Sequence, residues 1–160
     1  MSKTPPPVDP LGQTGEAPVD ERVGKLFGEY RLTRQIGHGG MGAVYQAEHV
    51  RLGRTAAIKV IHGELMRDAK AMQRFGVEAL TVARLQHPSI VDVYDVGDRP
   101  EPHCVMELLR GRSLQAALAD EGALAEARVV YIAAQVLGVL ELVHARGIIH
   151  RDLKPDNLFL

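Results

Sequence analysis

The chain has 160 residues, a formal net charge of −1 and a sequence pI of about 6.7, with 46% hydrophobic and 24% charged residues. That is the balance of one modest soluble globular domain with a real core, and nothing in it argues for nucleic acid or an anionic membrane as partner. One cysteine, Cys104, excludes an intramolecular disulfide, and the seven histidines show no metal-ligand spacing.

Residues 1–26 hold Pro5, Pro6, Pro7, Pro10 and Pro18 with Gly, Thr and acidic residues between them. They have too few large apolar groups to offset the entropy of ordering, and read as a disordered Pro-rich tail. No apolar signal region opens the chain. The most apolar run, Val129 to Val143, is interrupted by Gln135 and Glu141, so no stretch reads as a bilayer span. A cytoplasmic protein is the expectation.

Tyr30 to Ile36 reads as a strand by partial alternation, and Ala43 to Glu48 as a second. The glycines between them signal a hairpin. Gly37, Gly39 and Gly42 fit G-x-G-x-x-G, a spacing that lets backbone N–H groups approach phosphates closely. Glycine-rich hairpins are common, so the pattern alone decides nothing. The dinucleotide-binding version needs a helix after the glycines. Val44 and Tyr45 follow instead, which disfavours a Rossmann domain.

Thr55 to Ile61 is a third strand. It carries Lys59 among apolar neighbours, where a lysine either snorkels from an edge or needs an anionic partner. From Asp68 to Leu85 the pattern is helical, stopped by His87-Pro88. Met72, Phe75, Ala79 and Val82 share a face, and Glu78 projects from the same side. Glu78 pairs either with Arg74 one turn back or with Lys59.

Ile90 to Val96 and His103 to Leu108 read as two more strands around a turn from Gly97 to Pro102. Cys104 in the second reads as a small buried hydrophobe. Leu109 to Leu114 breaks the strand pattern. Ser113 can cap a short helix through Leu118. Leu124 to Arg146 reads as a longer helix closed by Gly147. This helix is apolar nearly all round, so it is expected to be buried nearly all round.

The last stretch is His150-Arg151-Asp152-Leu153-Lys154-Pro155-Asp156-Asn157. Asp152 can accept a hydroxyl proton, Lys154 can neutralise a phosphate oxygen, and Asn157 offers a hard carbonyl oxygen of the kind Mg²⁺ takes. Arg151 adds a charge beside Asp152, and Pro155 stiffens the loop. A base, a charge clamp and a metal ligand together suggest phosphoryl transfer.

This octapeptide resembles the catalytic loop of protein kinases. Lys154, two residues after Asp152, resembles the serine/threonine branch. The Gly-Gly-Met-Gly loop suggests the bacterial eukaryotic-like (Hanks-type) group. The resemblance implies an α+β kinase-like fold: a five-stranded antiparallel N-lobe sheet with one helix over residues 27–109, and the first helices of a helical C-lobe over 110–160. It implies ATP and Mg²⁺ as cofactors and a protein Ser/Thr hydroxyl as acceptor. Asp152, Lys154 and Asn157 would be catalytic, with Asn157 on the metal. Ile36, Gly37, Gly39, Gly42 and Val44 would cover the nucleotide. Lys59, set by Glu78, would hold its phosphates. Met106 would stand behind adenine, Glu107 and Leu109 would hydrogen-bond its edge, Ala57 would form the roof and Phe159 the floor.

Beyond Leu160 the sequence offers no Asp-Phe-Gly motif, activation loop or Ala-Pro-Glu segment. The chain is therefore expected to be a truncated kinase domain, inactive alone. The missing C-lobe or a partner kinase would cover its apolar helix. The alternative is a catalytically dead module that binds a nucleotide or a partner.

Overall fold

The computed structural model describes residues 20–40, 42–61, 63, 85 and 87–160. Six strands form one antiparallel sheet: β1 (Leu26–Phe27), β2 (Tyr30–Gly39), β3 (Gly42–His49), β4 (Thr55–Ile61), β5 (Val93–Gly97) and β6 (His103–Met106). Their spatial order is β1-β2-β3-β4-β6-β5. The sequence reading missed β1, whose two residues are too few to alternate. It also ran β6 two residues too far. The strand ends at Met106, although the Glu107 N–H still donates to the carbonyl of Asp92, its next partner in register, at 2.9 Å.

Cross-strand partners share a face and neighbours along a strand alternate. On one face Tyr45, Ile58 and Val105 lie in register across β3, β4 and β6, all fully buried. The next row is Ala43, Val60 and His103, also buried. Phe27, Tyr30 and Leu32 complete this core. Register shifts between Leu32 and Arg34 and between Gln35 and Gly37 bend β2, as bulges do. Each large side chain buried here contributes roughly 1.5–3 kcal/mol. His103 joins the core because its ring is satisfied: Nδ1 lies 2.7 Å from the Glu101 carbonyl, and the ring stands edge-on to Phe27.

Among the described residues, contacts reach back to Asp20, within the stretch read as a tail, and β1 starts at Leu26. Two polar contacts fix this segment. The Tyr45 hydroxyl donates to Asp20 at 2.6 Å, and Arg22 donates from Nε and Nη2 to both Glu101 oxygens at 2.8 Å. Burial, reinforced by Asp20, pushes the Tyr45 phenol up to about 12. The Arg22 guanidinium holds the Glu101 carboxyl below the ordinary glutamate range. The expected helix from Asp68 to Leu85 lies outside the described residues except for Leu85, which is buried.

Two α-helices follow the sheet: α1 (Leu114–Glu121) and α2 (Glu126–His144), then a 3₁₀ turn at Pro155–Asn157. Ser113 caps α1, its hydroxyl accepting from the Ala116 N–H at 3.1 Å. Gly122 ends α1 with φ of 74°. At α2 the cap position is Ala125, which offers no side-chain acceptor, and the helix begins two residues later than its pattern suggested. Glu126 in its first turn and His144 in its last complement the helix dipole.

The expectation that α2 is buried nearly all round is not met. Only Val143 is buried, while Val130, Tyr131 and Leu137 are each at least 60% exposed. Among the described residues, nothing covers this face. By length and composition alone α2 also meets the requirement for a bilayer span, because Gln135 and Glu141 do not lower its apolar content enough to exclude one.

Candidate nucleotide and phosphoryl-transfer site

The face of the sheet opposite the core carries one set of candidate residues. Val44, Lys59 and Cys104 lie in register across β3, β4 and β6, and Gln46, Ala57 and Met106 form the adjacent row. Val44, Lys59 and Met106 are half-buried, unlike the fully buried rows behind them. The strand order therefore puts the expected roof, phosphate-holding and gatekeeping residues on one surface. Among the described residues Lys59 has no ion-pair partner. Glu78, the expected one, lies outside them.

The hairpin between β2 and β3 carries the glycines, with Gly37 opposite Val44 and Gly39 opposite Gly42. Their reasons for being glycine differ. A Cβ on Gly42 would lie 2.1 Å from the Val60 carbonyl oxygen, so the sheet itself requires glycine there. A Cβ on Gly37 would make ordinary contact with Val44, and one on Gly39 would meet nothing within 4 Å. The protein's own packing does not explain these two. Bare backbone at these two positions would suit the close approach of a ligand. Ile36, just before them, is 39% exposed.

The stretch expected by resemblance to form the interlobe hinge, Leu109 to Leu114, follows the bond from Glu107 to Asp92, and Leu109 is half-buried. Phe159 sits across from Ser113 in a two-stranded bridge, about half exposed. This bridge brings the expected floor residue beside the segment that leaves the hinge.

The second set is the loop around Asp152. Arg151 adopts φ of 62°, the left-handed turn that directs the chain back on itself. The Asp152 N–H donates to the His150 carbonyl at 2.9 Å. Lys154 is extended, and Pro155 then starts the 3₁₀ turn, where its fixed φ suits the first position. These turns converge three side chains. Lys154 Nζ lies 3.0 and 2.9 Å from the two Asp152 carboxylate oxygens. Asn157 Nδ2 donates to the Asp152 backbone carbonyl at 2.7 Å and to Asp152 Oδ2 at 3.0 Å.

The Lys154 contact, then the Asn157 contact, holds the Asp152 carboxyl below the ordinary aspartate range. Asp152 is therefore an ionised acceptor at neutral pH. With its amide nitrogen committed to Asp152, Asn157 keeps Oδ1 turned away from that bond, a hard oxygen suited to a divalent cation. The donor set fits Mg²⁺ held by Asn157 close to an ionised carboxylate. The glycine hairpin and Lys59 fit the phosphates of a nucleotide.

A protein kinase domain family model matches residues 30–160. This chain belongs to the protein kinase family. The serine/threonine-protein kinase Pkn1 of Myxococcus xanthus is 45% identical over 142 residues, covering 88% of this chain. The probable serine/threonine-protein kinase PknB of Lactococcus lactis is 39% identical, covering 87% of it. The crystal structure of the Mycobacterium tuberculosis PknI kinase domain matches with a TM-score of 0.76 and 32% identity over 86% of this chain. The chain spans 20% and 23% of the two curated relatives and 57% of the PknI chain. The kinase match runs through α2, so that helix belongs to the kinase domain.

Cys104 as the cross-strand neighbour of Lys59 went unnoticed in the sequence reading, which took it only as a buried hydrophobe. Parity with Met106, two residues on, was the available signal. Burial pushes its thiol up to about 11, with Lys59 opposing the shift.

Proposed function

We propose that this chain supplies the nucleotide-binding sheet and catalytic loop of an ATP-dependent serine/threonine protein kinase acting in the cytoplasm. The observation that carries this reading is the grip of Lys154 and Asn157 on the Asp152 carboxylate. Asp152 orients the acceptor hydroxyl and takes its proton as the new O–P bond forms and the bond to the leaving ADP breaks. Lys154 is near enough to Asp152 to offset charge on the transferring group. Lys59 and the glycine hairpin hold the phosphates, and Ala57, Met106 and Phe159 enclose adenine against the Glu107–Leu109 backbone. When bound, Mg²⁺ neutralises phosphate charge, and Asn157 is the residue of this loop that would hold it.

Asp152→Asn in the intact protein tests the assignment. Phosphate transfer to protein should be lost while Mg·ATP still binds. Retained transfer would remove Asp152 from the role.

The exposed α2 face favours a second reading, a catalytically dead module that binds a nucleotide or docks a partner kinase there. A thermal shift with Mg·ATP but no phosphate transfer by the intact protein would select it.

A further inference from the structure

We infer that Gly111 is a positioning residue for phosphoryl transfer, because it lets the backbone leaving the hinge cross the backbone that follows the catalytic loop. This inference rests on the kinase reading above. Gly111 has φ of +119°, where a side chain is strained. A Cβ there would lie 2.1 Å from the Leu160 carbonyl oxygen and 3.2 Å from its carbon. Both are backbone atoms, so neither can swing aside as a flexible side chain could.

The close approach seats a short ladder. The Arg112 N–H donates to the Leu160 carbonyl at 3.4 Å, the Leu160 N–H to Arg112 at 2.9 Å, and the Leu114 N–H to Leu158 at 2.7 Å. Ser113, in the middle of that ladder, also caps α1. Leu158 directly follows Asn157, whose amide holds Asp152. At its other end the hinge is pinned by the bond from Glu107 to Asp92. An unbroken series of short connections thus runs from the adenine-edge backbone through Gly111 to the metal-ligand and base positions. A Cβ at 111 must push the Leu160 strand back by about 1 Å to reach van der Waals contact. Displacements of that size in positioning groups cost about 100-fold in rate.

The experiment compares Gly111→Ala with the parent in the intact protein, using adenosine and Mg·ATP as probes. Adenosine reaches the hinge side and the Phe159 floor, whereas Mg·ATP must also reach the catalytic loop. The expected result is a smaller loss of adenosine binding than of Mg·ATP binding, so that the advantage of Mg·ATP over adenosine shrinks by at least about tenfold, and a kcat lower by about 100-fold. Faster amide exchange at Leu114 and Leu160 should accompany the loss. Gly122→Ala is the control: it carries similar left-handed strain at φ of +74° but its Cβ meets nothing within 4 Å. It should leave the ratio and kcat alone.

If Gly111→Ala weakens both probes equally, Gly111 is merely structural and the inference is overturned. It is overturned as well if ratio, kcat and exchange all stay at parent values. A parent protein without any preference for Mg·ATP would instead refute the kinase reading, and the inference with it.

Discussion

Lys154 Nζ straddles the Asp152 carboxylate, 3.0 Å from one oxygen and 2.9 Å from the other. Its hydrogen bond to that carboxylate is the largest cause of the lowered Asp152 pKa. Lys154→Met should move the Asp152 titration up toward the unperturbed value of about 3.9, read by NMR of the carboxyl carbon. In the parent, the folded pKa lies below the unfolded one. The contribution of Asp152 to stability is therefore present above the unfolded value and is lost as pH falls through the folded value. A titration unmoved by the substitution would mean that Lys154 does not set the charge on Asp152.

The Arg22–Glu101 pair joins the segment before β1 to the β5–β6 turn. It is bidentate, and both side chains are about three-quarters buried. Arg22→Ala should lower stability by about 1 kcal/mol, between the values for exposed pairs and for charged hydrogen bonds. Arg22 depresses the Glu101 pKa, so the pair stabilises the fold above the unfolded glutamate value of about 4.3 and ceases to as pH falls through the folded value. The difference between parent and variant in thermal melting should narrow in acid. A gap independent of pH would contradict the pairing.

Two glycines of one hairpin should respond differently to the same change. Gly42→Ala drives a Cβ against the Val60 carbonyl and should cost about 2 kcal/mol in denaturant unfolding. Gly39→Ala meets open space and should change stability by less than about 0.5 kcal/mol. Gly39→Ala should nonetheless loosen Mg·ATP, measured by calorimetry. Equal nucleotide affinity in Gly39→Ala and the parent would leave that glycine without a ligand role.

Cys104 is buried and its thiol is pushed up to about 11. At pH 8 its thiolate fraction should be smaller than that of an ordinary thiol by about 100-fold, and its alkylation slower in proportion. Mass spectrometry of iodoacetamide labelling, native against unfolded, checks this. Rapid native labelling would show that the β6 face beside Lys59 opens to solvent.

What the sequence made legible was local. Thr55 to Ile61 was bounded to the residue because an apolar run, broken only by Lys59, lies there between Arg54 and His62. Ser113 was legible as a cap because its chemistry acts within one turn. The trio of Asp152, Lys154 and Asn157 lies within a single loop, so residue type and spacing sufficed. The two-residue β1 has no period to read. The need for glycine at 111 was not legible, because the atom that demands it, the Leu160 carbonyl, lies on a segment remote in sequence. The contrast between Gly42 and Gly39 was hidden for the same reason: only the facing β4 backbone tells them apart. Periodicity also reports that α2 is apolar, but not what covers it.

The sheet keeps its two duties on opposite sides. Tyr45, Ile58 and Val105 face inward, while Val44, Lys59, Ala57 and Met106 face outward, often as immediate neighbours along one strand. Selection for expression and selection for turnover would therefore act on interleaved positions. A survey of variants scored by abundance would weigh the buried Tyr45, Ile58 and Val60 heavily and pass over the half-buried Val44 and Lys59 beside them. The residues it overlooked would include Val44 and Lys59, which are proposed to handle the nucleotide.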